Sequence, residues 1–214
     1  GKVIAEALGL AGSELYLIDV DSNSLTIVAD KIEKQTNTKV KRFSIDLSDS
    51  NEIDNFLYQH NDFDVVINNA GVTRGNHLFD YSDEDWDMTY RVNLYAPYKI
   101  IQKISKKMTL KKSGSIINIT SLAAELGFPG NPAYVAFKGA LKQLTKAVAC
   151  DLSGSGVRIN SIGPGYMKTD MTKKSWNDEQ LRFERTNRTT LNRWGESSDL
   201  VGAIIFLSSE ASSY

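Results

Sequence analysis

The chain has 214 residues, 41% hydrophobic and 24% charged, which suits one soluble domain with a sizeable core. A net charge of −1 implies no bulk attraction to nucleic acid or to an anionic membrane. The single Cys150 excludes an internal disulfide, and His60 and His77 have no Cys or His neighbours at metal-ligand spacing, so a protein-bound zinc is not expected.

GKVIAEALGLAG opens inside an amphipathic helix, and ELYLID (14–19) reads as a strand. Leu25, Val28, Ala29 and Ile32 carry helical spacing across 23–36, and VKRFSI (40–45) is a strand. Ile53, Phe56 and Leu57 mark a short helix, and FDVVIN (63–68) a strand. A long helical region is expected over 83–111, where KKMTLKK (106–112) reads as a solvated helix end. SIINIT (115–120) is a strand, 132–152 a helix, VRINSI (157–162) a strand and DLVGAIIFLSS (199–209) a helix. Alternation of this kind predicts βαβ units and a Rossmann-like, doubly wound parallel sheet in three α/β/α layers, with 1–214 as a single domain.

Such folds place their first strand centrally and bind pyrophosphate on the glycine-rich turn behind it. Neither precedes Gly1, which reads as the last glycine of such a turn. The expectation is that a first strand, between 14–19 and 63–68, and a last strand both lie outside these residues. No apolar run is long enough to span a membrane and no signal-peptide pattern is present, so a cytoplasmic protein is expected.

Tyr134 and Lys138, in PAYVAFKGAL, sit four apart on one helix face. A nearby ammonium stabilises a phenolate, so the tyrosine is expected to titrate below its usual value of about 10 and to exchange protons near neutral pH. Tyr95 and Lys99 share the spacing, and Ser121 and Ser82 stand thirteen residues before the two tyrosines. Context separates them. Ser121 closes SIINITS, at the carboxyl end of a buried parallel strand, where open α/β sheets bind ligands. Ser82 lies in DYSDEDW, which reads as a helix start, and Pro97 interrupts the turn joining Tyr95 to Lys99.

Asp19, Asp46-Leu47, NNAG (68–71), Asn93, Ser121, Tyr134-x-x-x-Lys138 and PGYMKTDM (164–171) occur in order. In this set the chain resembles the short-chain dehydrogenase/reductase family over its whole length. The resemblance implies a catalytic set of Asn93, Ser121, Tyr134 and Lys138. Tyr134 would be the proton donor and acceptor, and Lys138 would tune it and hold the nicotinamide ribose. Ser121 would bind the carbonyl oxygen, and Asn93 a water of the proton relay; a helix kink or cap is the structural alternative for Asn93. Cofactor contacts would come from Gly1, Asp19, Asp46, Leu47, Asn68, Ala70, Gly71, Tyr134, Lys138, Pro164, Gly165, Met167 and Thr169. Asp19 can accept both hydrogen bonds of a ribose diol and repels a 2′-phosphate, so NAD is expected over NADP. A strand-end aspartate starting a turn is the plainer reading.

The family keeps a substrate lid where residues 166–195 fall, and this segment carries Arg182, Arg185, Arg188, Arg193, Lys173 and Lys174. Arginine suits a carboxylate, and a solvated helix with locally paired charges is the equal alternative. The texture resembles the gluconate 5-dehydrogenases and 2-deoxygluconate 3-dehydrogenases of the family, and also its 3-oxoacyl-carrier-protein reductases. Those reductases usually prefer NADPH and carry a basic residue near the position of Asp19; the chain departs from that pattern, so the resemblance implies a sugar or sugar-acid substrate. The resemblance also implies a homodimer or homotetramer built on 83–111 and 132–152, with Phe137, Leu141 and Leu144 as candidate contacts, a place in the core being the alternative for some of them. A non-catalytic nucleotide-binding scaffold is the other class of reading, disfavoured because both Tyr134 and Lys138 are present.

Overall fold

The computed structural model describes all residues from Gly1 to Tyr214. Its strands are β1 (Leu15–Asp19), β2 (Val40–Ser44), β3 (Val65–Asn68), β4 (Gly114–Ile119) and β5 (Val157–Ile162), and every pairing is parallel. The helices are α1 (Lys2–Leu10), α2 (Ser22–Gln35), α3 (Ser50–Gln59), α4 (Asp83–Tyr90), α5 (Ala96–Lys111), α6 (Pro132–Asp151), α7 (Lys173–Asn177), α8 (Glu179–Asn187) and α9 (Val201–Ser208). None is long and apolar enough to cross a membrane.

Strand β4 shows why the layers form. Its run GSIINI has no polar face, and Ile116 and Ile117, adjacent and therefore on opposite faces, are both fully buried. Ile116 packs with Ile53 of α3 and with Ile104 and Met108 of α5. Ile117 packs with Ile4 of α1 and Ile204 of α9. Burying each isoleucine stabilises the fold by about 1.5–3 kcal/mol. Helices thus cover both faces of the sheet, as the alternating pattern requires.

Hydrogen bonding divides the strands into β1–β2 and β3–β4–β5, and β1 and β3 do not pair with each other. Helix α1 spans the two groups. Ile4 joins the cluster under β4, while its neighbour Ala5 joins Leu15, Ala29, Ile32 and Val40 under β1 and β2.

The region 83–111 is helical but not one regular helix. Between α4 and α5, residues Arg91–Tyr95 form a π-helical turn. Pro97 has no N–H to give the carbonyl four residues back, so the α ladder opens there. The side chain of Asn93 donates to the Thr89 carbonyl at 2.9 Å inside that turn. Ser82 accepts from the Asp85 amide at 3.1 Å and starts α4, as its context predicts. The short helices α7 and α8 fall in the segment for which a solvated helix is one of the two readings, and only their bounds were not legible in the sequence.

Two expected surface contacts are corrected. Leu141 is 1% exposed and belongs to the core, and Phe137, 9% exposed, lies beneath the rings of Trp86 and Tyr90 at 4.9 and 5.4 Å. Leu144 is half-buried. The exposed aromatic positions on this side are Trp86, Tyr90 and Tyr98.

Candidate functional site

The turns that follow β4 and β5 are clamped side by side. The Thr120 amide and hydroxyl both donate to the Ile162 carbonyl, at 2.8 and 3.0 Å, and the Leu122 amide donates to the Pro164 carbonyl at 2.9 Å. Ser121 therefore lies against the Pro164–Gly165 turn. Its backbone is extended, and its hydroxyl accepts from the Ala123 amide at 3.1 Å, capping a short 3₁₀ turn.

Helix α6 brings the other two groups. Proline at its first position suits a helix start, and one turn carries the chain from half-buried Tyr134 to Lys138, which is 3% exposed. The Lys138 Nζ donates to the Ile119 carbonyl at 2.8 Å and stands 5.8 Å from the centre of the Tyr134 ring.

Asn93 is fully buried and tied to the loop behind β3. Its Nδ2 donates to the Val72 carbonyl at 2.8 Å, and its Oδ1 accepts from the Val72 amide at 3.3 Å. Gly71 closes the group. A Cβ there would lie 2.9 Å from Asn93 Oδ1 and 3.5 Å from Lys138 Nζ, so only glycine leaves this shelf open. Asn93, Ser121, Tyr134, Lys138, Gly71 and Pro164–Gly165 thus converge at the carboxyl ends of β3, β4 and β5. The kink and the site are one feature for Asn93, which sits in the π turn and faces Gly71.

The expected lowering of Tyr134 is not what the surroundings produce. Burial pushes the Tyr134 phenol up, and the Ser121 hydroxyl pulls it only partly back. The nearby ammonium does not decide the balance, because Lys138 is committed to the Ile119 carbonyl. Burial also pulls Lys138 down to about 8. Near neutral pH the site therefore holds a protonated phenol beside a lysine that readily gives up its proton.

A second group gathers at the end of β1. Asp19 is exposed, and its Oδ1 accepts from the Asp21 amide at 3.1 Å, the local turn bond that the plainer reading expects. Gly1 lies against the NNAG segment, where an added Cβ would come within 3.1 Å of Asn69 Nδ2. Asp46 follows β2, accepts from the Ser48 amide at 2.8 Å, and leads into Leu47, which packs on the main core.

The other candidates divide. Ala70 is exposed beside Gly71, whereas Asn68 points into the sheet, and its Nδ2 donates to Asn118 Oδ1 at 2.8 Å. Met167 bridges to Gly195, and Thr169 forms a turn with Thr172, with hydroxyls 3.3 Å apart. Tyr95 and Lys99 take no part. Tyr95 lies among Tyr90 and Tyr98, and Lys99 pairs with Asp54 at 2.5 Å.

Three features went unread in the sequence. Asn118 passes the bond from Asn68 on to the Thr145 hydroxyl at 2.8 Å, and one polar residue inside SIINIT was a usable signal for it. Thr73 donates to Asn131 Oδ1 at 2.8 Å, pinning the loop behind Gly71 to the start of α6, and no pattern announces that pair. Tyr166, Trp176 and Trp194 form an aromatic cluster beside a cavity of about 460 Å³ under α7 and α8. Its charged walls are internally paired. Lys168 meets Glu196 at 2.7 Å, and Arg193 grips Asp199 at 2.7 and 3.1 Å.

Residues 1–214 match a family model described as "Enoyl-(Acyl carrier protein) reductase". The chain is 36% identical to the gluconate 5-dehydrogenase of Gluconobacter oxydans, with 100% of this chain and 85% of that protein covered. It is 32% identical to a 3-oxoacyl-[acyl-carrier-protein] reductase of Chlamydia trachomatis, covering 100% and 87%. Among solved structures, a gluconate 5-dehydrogenase from Burkholderia cenocepacia in complex with NADP and tartrate superimposes with a TM-score of 0.89 at 30% identity, over 100% of this chain and 86% of that one.

Proposed function

This chain belongs to the short-chain dehydrogenase/reductase family, and on that premise we propose that it oxidises and reduces a sugar or sugar acid, interconverting a secondary alcohol and a ketone with a nicotinamide dinucleotide. The observation that carries the reading is the convergence of Ser121, Tyr134 and buried Lys138 beside the open shelf at Gly71. Asp19, Gly71, Lys138 and the Pro164–Gly165 turn would hold the dinucleotide, and their fit rests on the exposed carboxylate at the strand end and on the side-chain-free shelf. When bound, the nicotinamide supplies or accepts the hydride.

Ser121 donates a hydrogen bond to the substrate oxygen and steadies the charge that develops on it. Tyr134, protonated at neutral pH, gives its proton to that oxygen in the direction of reduction. In oxidation the same phenol oxygen takes the proton from the substrate hydroxyl. Lys138, fixed on the Ile119 carbonyl beside the Tyr134 ring, would hold the nicotinamide ribose, and its value of about 8 lets it charge and discharge near neutral pH. Asn93 holds the loop behind Gly71 through both atoms of its amide.

Asp19 supports NAD, since its carboxylate and that of Asp21 both disfavour a 2′-phosphate. The relative solved with NADP supports the opposite choice, and direct comparison of the two cofactors decides. The sugar-acid reading draws on the Gluconobacter and Burkholderia relatives, and a 3-oxoacyl thioester is the second reading, drawn from the Chlamydia relative. The exposed rings of Trp86, Tyr90 and Tyr98 support self-association through α4 and α5. The test is a dehydrogenase assay of the full-length protein against sugar acids, polyols and 3-ketoacyl thioesters, each with NAD(H) and NADP(H). Turnover of sugar acids above the other two classes supports the proposal, and exclusive turnover of thioesters replaces it with the second reading.

A further inference from the structure

The lid carries four arginines, and their surroundings differ. Arg193 is saturated by Asp199, and Arg182 donates to the Trp176 carbonyl at 3.0 Å. Arg188 is exposed at the C-terminal end of α8. Arg185 is half-buried, with its guanidinium 5.4 Å from the centre of the Tyr166 ring and 5.9 Å from that of Trp194. Its guanidinium makes no hydrogen bond and no ion pair within the protein. Stacking against aromatic faces fixes the plane of a guanidinium without using its N–H donors. A half-buried cation held between two aromatic rings with free donors can receive an anion, and a carboxylate matches that fork in two parallel bonds.

Its position relates it to the reacting groups. Tyr166 directly follows Gly165 and is 8% exposed. Its ring meets Phe128 at 6.2 Å, on the loop that continues from Ser121, and Leu122 bonds Pro164 on the same strip of backbone. Arg185 is therefore joined, through Tyr166, to the strip of backbone that carries Ser121. A sugar acid keeps its carboxylate several carbons from the hydroxyl that reacts, so an anion contact in the lid, away from Tyr134, is what such a substrate requires.

We propose that Arg185 is the specificity-determining residue that binds the carboxylate of a sugar-acid substrate. This rests on the substrate reading given above. The contact forms in the ground state and the transition state alike, so its loss falls on KM more than on kcat.

The test uses the full-length protein with gluconate and with a neutral polyol of the same chain length, each with its preferred cofactor. Arg185→Met should lower kcat/KM for gluconate on the order of 10²-fold, chiefly through KM, the scale of losing charge-assisted bonds. It should leave the polyol and the cofactor Kd within about 2-fold. Arg185→Lys, which keeps the charge but not the fork, should recover only part of the loss. Equal losses on the acid and the polyol, or no loss on the acid, would overturn the assignment of Arg185 while leaving the substrate reading intact. A wild type that turns over no sugar acid overturns the substrate reading, and this inference with it.

Discussion

Lys138 and Tyr134 share one face of α6, yet the lysine bonds the Ile119 carbonyl at 2.8 Å and meets only the tyrosine ring, 5.8 Å from its centre. The phenol is consequently left to its burial, which keeps it protonated. The lysine thus stands beside the ring and not on the hydroxyl, and the phenol keeps a proton to give.

Tyr134→Phe keeps the ring and removes that proton, and kcat should fall on the order of 10²-fold or more. Tyr95→Phe should be close to neutral, since Tyr95 packs among Tyr90 and Tyr98 outside the site. Steady-state kinetics of both variants check this, and equal losses would mean that Tyr134 has no special role.

Lys138 should make stability depend on pH in a defined direction. Its drop from 10.5 to about 8 corresponds to about 3 kcal/mol against the charged form in the fold. Below pH 8 the folded and unfolded states both carry the charge, and burial counts against the fold. The folded state alone discharges as pH rises through about 8, so wild type gains stability up to about 10.5 and loses that gain on the way back down. Lys138→Met removes this dependence. Thermal unfolding across pH 7–10 should show wild type gaining on the variant as pH rises, while a constant difference would mean that the lysine titrates normally.

How much of this site was legible depended on where each contact arises. Ser121, Tyr134 and Lys138 could be placed because a strand end and one helical turn are local patterns, and both survive into the fold. The direction of the Tyr134 shift could not be read, because it depends on how deeply the tertiary fold buries the phenol, and a four-residue spacing carries no such information. The π turn at Arg91–Tyr95 was half legible: Pro97 announced an interruption, but not that the chain would widen rather than break. Phe137 and Leu141 are apolar, so the sequence allows either the core or a subunit contact, and the fold buries both, Phe137 against Trp86 and Tyr90.

Asp19→Ala should narrow the preference between NAD(H) and NADP(H), by removing both a ribose acceptor and a charge that repels phosphate. The ratio of kcat/KM for the two cofactors measures it. An unchanged ratio would show that Asp19 serves only the turn that it makes with Asp21.

Gly71→Ala would falsify the shelf assignment if it proved silent. The added methyl meets Asn93 Oδ1 at 2.9 Å, closer than a Cβ tolerates, so Asn93 must give up its hold on Val72 or the loop must move. A shift of that kind at a reacting centre should cost about 10-fold or more in kcat/KM. Circular dichroism and a thermal melt confirm that the variant remains folded.

The π turn also sets a rule for which changes in chain length this protein tolerates. A π turn holds one residue more than the α-helix it interrupts. Deleting a single residue between Arg91 and Tyr95 would remove the extra residue and bring α4 and α5 into one α register, with Pro97 still leaving one bond of that ladder unmade. The same deletion would rotate one half against the other by about 100°, one residue's turn of a helix of 3.6. Asn93 could then no longer reach Val72 while Thr89 and Ala96 kept their places in the core. A shortening that removes this one irregularity would therefore dismantle the site, and length variants that retain function should place their gaps elsewhere.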